Sequence, residues 1–202
     1  MADRLPHTLR SDARENRERI LDAARALFAA EGMTVPMRDI ARHARVGPAT
    51  LYRHFPTKEI LATAAFAGEM RACRALVEQG LSDPDPWHGF CQFIENICAL
   101  HADNRAFTEA FTSTFPDAID FAAERAAALR AVGELARRAE KTGQLRPDFA
   151  VADLSLMLMA HRGIRAGSQT RVAASRRFAA LMIQAFRASP ENGPLSAMPR
   201  AR

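Results

Sequence analysis

Residues 40–61 read IARHARVGPATLYRHFPTKEIL. Ile40, Ala41, Ala44, Val46 and Leu51 stand at the offsets that a helix-turn-helix requires: a small residue where two helices cross, a tight turn, then an apolar anchor on the second helix. Ala41 permits the close approach, Arg45, Val46 and Gly47 interrupt the helical pattern, and Pro48 restarts it. Any two short helices joined by a glycine turn share such spacing, so the charges decide. From Thr34 to Lys58 there are five basic side chains (Arg38, Arg42, Arg45, Arg53, Lys58) against one acid (Asp39), and this segment holds +4 of the chain's net +5. A basic patch centred on a short helix is the electrostatic footprint of a DNA reader.

Upstream of this stretch, Ile20, Ala24, Leu27 and Phe28 line one face of a helix over residues 14–30, and Gly32 lies just past its end. Thr34 is the candidate N-cap of a second helix over 37–44, with Pro36 suited to its first turn, where a proline forfeits only an orphan N–H. A third helix holds residues 49–54. Thr57 then caps a fourth, longer one over 58–79. Further breakers at 83–86, 116, 143–147 and 163–167 divide the rest, and no run of alternating β-branched residues appears. The expectation is an all-α fold of about nine helices, with loose ends at 1–13 and 189–202.

The 202 residues are 48% hydrophobic and 25% charged, enough to bury a sizeable core. No stretch approaches the roughly 20 consecutive apolar residues of a membrane span, and the first 20 residues lack the apolar centre of a signal peptide, so a cytoplasmic protein with no membrane partner is expected. Cys73, Cys91 and Cys98 are too few and too odd in number for a secreted disulfide framework. His88, Cys91, Cys98 and His101 share one predicted helix, but the seven residues between the two cysteines rise about 10.5 Å, too far for a disulfide or one tetrahedral site. No metal or cofactor is expected. No Gly-rich phosphate loop, nucleophile motif or HExxH occurs, which speaks against an enzyme.

The 40–61 stretch, with the preceding RILDAARALFAAEG of residues 19–32, closely resembles the DNA-binding signature of the TetR family of bacterial repressors. The likeness covers residues 17 to about 62. It implies that residues 48–54 are the recognition helix, bringing Pro48, Ala49, Thr50, Tyr52, Arg53 and His54 to double-stranded DNA. Thr50 would touch a base edge or a phosphate, Tyr52 would donate its hydroxyl to the backbone, and His54 would meet a phosphate. Arg38 is the candidate for bidentate contact to a guanine, Lys58 for an anion site at the start of the next helix, and Leu51 and Phe55 for packing. Two positions depart from the family's pattern. Position 36 is Pro where Ser or Thr is frequent, which passes a phosphate contact to Thr34. Position 45 is Arg where Gly is common in the turn, at a cost of about 1 kcal/mol if that residue is left-handed, offset by reaching a phosphate.

The resemblance further implies a division into a DNA-binding domain with a flexible N-terminal arm (1–57), an effector-binding and dimerisation domain (58–189) and a disordered tail (190–202). Ten of the 12 phenylalanines lie beyond residue 61, where the charge is nearly balanced. Phe90, Phe93, Ile94, Ile97, Phe107, Phe111, Phe115, Phe121 and Met157 are candidate contacts to a small-molecule effector, although an aromatic stripe at helical spacing is more often core. One helix-turn-helix reads too few base pairs for useful specificity, so twofold pairing is expected. Two stripes on the last pair of helices, 149–162 and 171–188, would supply the homodimer interface: Leu154, Leu158, His161 and Arg165, then Phe178, Leu181, Met182, Ala185 and Phe186. The function so implied is a repressor released from a near-palindromic operator by a small, largely apolar effector. The alternative is a DNA-binding regulator controlled by a protein partner or by thiol redox state.

Overall fold

The computed structural model describes residues 5–104, 106–108, 119–164, 168–191 and 193–196. They hold nine named helices: α1 (Leu5–Glu31), α2 (Met37–His43), α3 (Pro48–His54), α4 (Lys58–Ala65), α5 (Ala67–Ser82), α6 (Pro86–Asp103), α7 (Ile119–Lys141), α8 (Val151–His161) and α9 (Ser168–Phe186). Residues 106–108 are also helical. The fold is all-α; among the described residues there is no strand, only an isolated bridge between Leu145 and Arg187.

Helices α1 to α4 share a small apolar centre in which Ile20, Ala24 and Phe28 meet Ile40, Leu51, Phe55 and Leu61, each 2% exposed or less. In the remainder α6 is central, packed against α5, α7, α8 and α9. Its Phe90, Phe93, Ile94 and Ile97 are fully or almost fully buried, and each such side chain contributes about 1.5–3 kcal/mol of apolar burial. Helices α5 and α6 form a hairpin through the Asp-Pro-Asp-Pro turn at 83–86. Asp85 caps α6 by accepting from the Trp87 and His88 N–H groups at 2.9 and 3.1 Å, while Pro86 occupies the first helical position. The two helices cross at a glycine pair. A Cβ on Gly89 would lie 2.3 Å from the Gly80 carbonyl oxygen, so no other residue fits that approach.

Four expectations from the sequence are corrected. Helix α1 begins at Leu5 rather than near residue 14, because Pro6 falls in the first turn and the residues after it contain no glycine and many good helix formers. The helix expected over 58–79 breaks at Phe66 (φ −102°, ψ 11°). Its ring is buried between Phe28 at 5.9 Å and Phe107 at 5.8 Å, and the hydrogen bonds Phe66 N–H to Ala62 O and Met70 N–H to Phe66 O persist at 3.0 Å on either side. The packing demand of one aromatic ring therefore overrides local propensity. Pro36, not Thr34, is the N-cap of α2, and no side chain caps that helix. The segment after α9 is tied down: Ala188 N–H donates to Gln144 O at 2.8 Å, Gly193 O accepts from Arg146 at 3.1 Å, and Leu195 N–H donates to Asp148 at 2.7 Å.

Candidate nucleic-acid interface and effector half

The turn between α2 and α3 is a Schellman closure. Val46 N–H donates to Ala41 O at 3.0 Å and Arg45 N–H to Arg42 O at 3.1 Å, which satisfies the last carbonyls of α2. Arg45 takes the left-handed conformation (φ 55°), the strained position anticipated from the sequence. Ala41, 1% exposed, lies at the crossing, and Leu51, fully buried, anchors α3 beneath it. The residues left outside are the candidate readers. Arg38, Arg45, Pro48, Ala49, Tyr52 and Arg53 are exposed and Thr50 is half-buried. Thr34 is exposed in the turn before α2. Arg42, also exposed, is partly neutralised by Asp39 at 3.1 Å.

Thr57 caps α4 as expected, accepting from the Ile60 N–H at 3.3 Å. Lys58 in the first turn of α4 is half-buried, and burial lowers its pKa from the ordinary lysine value. His54, a candidate phosphate contact, is half-buried at the C-terminal end of α3. Its Nε2 is buried with no hydrogen-bond partner among the described residues, and its ring lies beside Phe55 at 6.3 Å. Burial, then the Arg53 and Arg17 cations, hold its pKa below the usual imidazole value. Arg17 of α1 lies over the Phe55 ring, 5.5 Å from its centroid, at the C-terminal end of α3.

In the C-terminal half the candidate effector contacts are dispersed. Phe90 belongs to an aromatic cluster with Trp87, Phe149 and Phe186, with centroids 5.4–6.4 Å away. Phe107 stacks on His101 at 5.0 Å, while Phe93, Ile94, Ile97 and Met157 are buried core. Phe111 and Phe115 lie outside the described residues, as does the side chain of Phe121. Open space occurs elsewhere, in a groove of about 510 Å³ between α5 and α7. Met70, Val77 and Leu81 form one wall, Ala127, Ala128 and Ala131 the other, and Arg74 and Glu78 stand one turn apart on α5 beside it. Among the described residues, none of the candidate effector contacts named from the sequence lines it. The cysteines are free thiols. Burial pushes Cys73 and Cys98 up to about 12 and Cys91 to about 11, which disfavours the reactive thiolate near neutrality.

The expected dimer stripes are likewise redistributed. Leu154, Leu158, His161 and Phe186 are 6% exposed or less within a single subunit, so a partner cannot reach them. His161 donates to or accepts from Ser175 through Nε2 at 2.8 Å, and His101 is bonded through Nδ1 to Thr108 at 2.7 Å. Burial, with the neighbouring His161, drives the His101 pKa down to about 3. Phe178 and Met182 are half-buried, Leu181 and Ala185 are exposed, and Arg165 lies outside the described residues. The exposed large apolar residues on these helices are Leu156 and Met159 of α8 and Val172 and Leu181 of α9, at 43–55% exposure. The sequence carried a signal for them: VADLSLMLMAH is apolar on every side, the mark of a helix covered on two faces. Among the described residues no helix is long and apolar enough to cross a membrane, and no cluster of His, Cys, Asp and Glu could hold a metal ion.

The comparisons with known proteins agree with this architecture. A model of bacterial regulatory proteins of the tetR family matches residues 20–65, and one of the C-terminal domain of SbtR-like transcriptional regulators matches residues 85–188. The chain is 34% identical over 104 residues to the HTH-type transcriptional repressor KstR of Mycolicibacterium smegmatis, across 50% of this chain and 51% of that one. It is 46% identical over 54 residues to an HTH-type transcriptional regulator of Staphylococcus aureus, across 26% and 29%. It thus spans about half the length of the first of these relatives and under a third of the second. A TetR transcription regulatory protein from Mycobacterium vanbaalenii is 31% identical with a TM-score of 0.50, covering 89% of this chain and 99% of that one. KstR2 of Mycobacterium tuberculosis, a ketosteroid transcriptional regulator, shares the fold at 18% identity and a TM-score of 0.65, covering 86% and 95%. With both halves matched in order and the helix-turn-helix in place, the chain belongs to the tetR family of bacterial transcriptional regulators.

Proposed function

We propose that this regulator is a homodimeric repressor that leaves a near-palindromic operator when a small, largely apolar effector enters the groove between α5 and α7. The observation that carries the reading is the connection between groove and DNA-binding unit. Helix α5 is one wall of the groove, and at Phe66 it joins α4, whose last carbonyl, Ala65 O, accepts from Arg25 Nε of α1 at 2.9 Å. An effector that spreads the groove would shift α5, and with it the helix on which α1 and the reading helices rest. KstR is named a repressor and KstR2 a ketosteroid regulator, and a flat apolar ring system suits a wall of three alanines facing Met70, Val77 and Leu81. In this division residues 1–57 with α4 form the DNA-binding unit, and α5 onward the effector and dimerisation unit. The dimer is built on the outer faces of α8 and α9, and the protein works on chromosomal DNA in the cytoplasm.

A gel shift with the DNA upstream of the protein's own gene tests the first step. Adding neutral sterols, then fatty acids, tests release. A specific complex dissolved by an apolar ligand is the expected result; a specific complex that no apolar ligand dissolves while a protein partner does would replace the effector reading with the partner-controlled one.

A further inference from the structure

Asn104 stands where α6 ends and a new helical turn begins, and both halves of its amide are used. Its Oδ1 accepts from the Phe107 N–H at 3.0 Å, three residues on, which is the bond of a helix N-cap. Its carbonyl oxygen accepts from the Thr108 N–H at 3.1 Å and from the Thr108 hydroxyl at 3.0 Å. With Oδ1 so committed, Nδ2 is the donor, and it donates to Glu69 Oε1 of α5 at 2.6 Å. Capping the turn needs only the oxygen. The bond from the nitrogen is a separate tie, charge-assisted and made to a residue 35 positions earlier in the chain.

That tie lands on the joint between the two units. Glu69 lies in the first turn of α5, three residues after Phe66, where α4 gives way to α5. Phe107, in the turn that Asn104 caps, rests on Phe66 at 5.8 Å, and Phe66 lies against Phe28 of α1 at 5.9 Å. The turn is footed on α6, where His101 bonds Thr108 at 2.7 Å and stacks on Phe107 at 5.0 Å. It therefore grips the start of α5 twice, through the Phe66 ring and through the Glu69 carboxylate. An aromatic contact tolerates sliding, whereas a hydrogen bond weakens steeply as its angle opens. The Asn104–Glu69 bond is thus the part of the grip that sets how α5 is turned against the end of α6. We infer that Asn104 is a positioning residue for operator binding: by holding Glu69 it fixes the attitude of the DNA-binding unit, carried on α4 and α1, relative to the rest of the subunit. Only molecules whose reading helices are correctly set bind the operator, so loosening the joint lowers the competent fraction and raises the apparent Kd in proportion. The inference rests on the helix-turn-helix being the DNA reader.

The test is an isosteric exchange. Asn104→Asp keeps the oxygen that caps Phe107 but sets one carboxylate against another. Glu69→Gln keeps a side-chain carbonyl that still accepts from Asn104. Glu69→Gln combined with Asn104→Asp restores the bond with donor and acceptor exchanged and leaves the net charge of the wild type. Affinity is read by fluorescence anisotropy on a duplex that the wild-type protein selects from a random-sequence pool. Stoichiometric titration fixes the active fraction of each variant, so misfolded protein is not counted. Asn104→Asp should weaken binding about tenfold or more, because a charge-assisted bond becomes a repulsion, and Glu69→Gln by about threefold at most. The double variant should return to about the wild-type affinity. The slope of log affinity against log salt should stay at the wild-type value throughout, since no phosphate contact is removed. Asn104→Asp with wild-type affinity, or a double variant no better than Asn104→Asp, overturns this proposal and leaves the helix-turn-helix reading standing. A loss that disappears once only active protein is counted shows a role in folding alone and also overturns it. A wild-type chain that selects no duplex overturns both readings.

Discussion

Leu181 and Leu158 lie on adjacent helices, and substituting each tests the division between the subunit's own core and the proposed partner face. Leu181 is 48% exposed and Leu158 fully buried. Fully burying a leucine contributes about 1.5–3 kcal/mol, so the exposed half of Leu181 has about 1 kcal/mol to offer a partner, or about 2 kcal/mol for the two copies in a twofold dimer. Its loss alone weakens the dimer about 30-fold. Leu181→Asp adds the desolvation of a carboxylate at each copy, several kcal/mol more if it finds no cation. The expected product is a folded monomer with full helical content, unable to hold the operator. Leu158→Asp places the same charge inside the subunit and should unfold it instead. Sedimentation velocity over a concentration series, with thermal melts by circular dichroism, reads both. A Leu181→Asp protein that sediments as the wild-type dimer, or a Leu158→Asp protein that melts like the wild type, would refute this assignment of faces.

At the DNA surface, Lys58→Ala should lower the salt slope by about 0.9 per protomer without changing sequence preference, whereas Arg38→Ala should cost about 1–3 kcal/mol at one base pair; fluorescence anisotropy on operator and scrambled duplexes separates the two effects. Gly89→Ala forces a Cβ to 2.3 Å from Gly80 O and should destabilise by about 1–3 kcal/mol. Gly133→Ala meets only Val151 at 3.5 Å and should stabilise by up to about 1 kcal/mol, both read by urea melts. His101, with a folded pKa of about 3, binds its proton more readily when unfolded. Its contribution is present above the unfolded value of about 6.5 and is lost as pH falls below it, by about 2 kcal/mol at pH 5. The neighbouring His161, also lowered by burial, adds in the same direction. His101→Gln should flatten that acid-side decline.

The helix-turn-helix was legible because its demands are local. A small residue at position 41, a left-handed residue at 45 and an apolar anchor at 51 are required by backbone geometry within a dozen residues. The faces of α8 were not, because a sequence apolar on all sides does not say which side meets the chain itself. Leu158 and Leu156 look alike in sequence and differ only in what the fold places against them: one is fully buried, the other 52% exposed. The Phe66 break has the same origin: nothing at position 66 disfavours a helix, and the ring is drawn out of register by Phe28 and Phe107, 38 residues before it and 41 after. The groove between α5 and α7 is not marked by the aromatic residues of the sequence, because its described α7 wall is built of alanines. Small side chains leave space, and composition records what is present rather than what is left empty.

The buried Arg146 side chain holds Asp148 in its own loop at 2.9 Å, Ala185 O near the end of α9 at 3.2 Å, and Gly193 O in the tail at 3.1 Å. It therefore joins the corner from which α8 sets out to the corner at which α9 stops. In a dimer built on those two helices, the splay between them fixes the angle at which two subunits meet, and that angle fixes how far apart the two reading heads stand on the duplex. If the proposed interface holds, the Arg146 tie would be one of the contacts that set the spacing of the two half-sites. Substitutions at 146, 148 and 193–195 would then change the preferred half-site spacing without altering any candidate reader on α3.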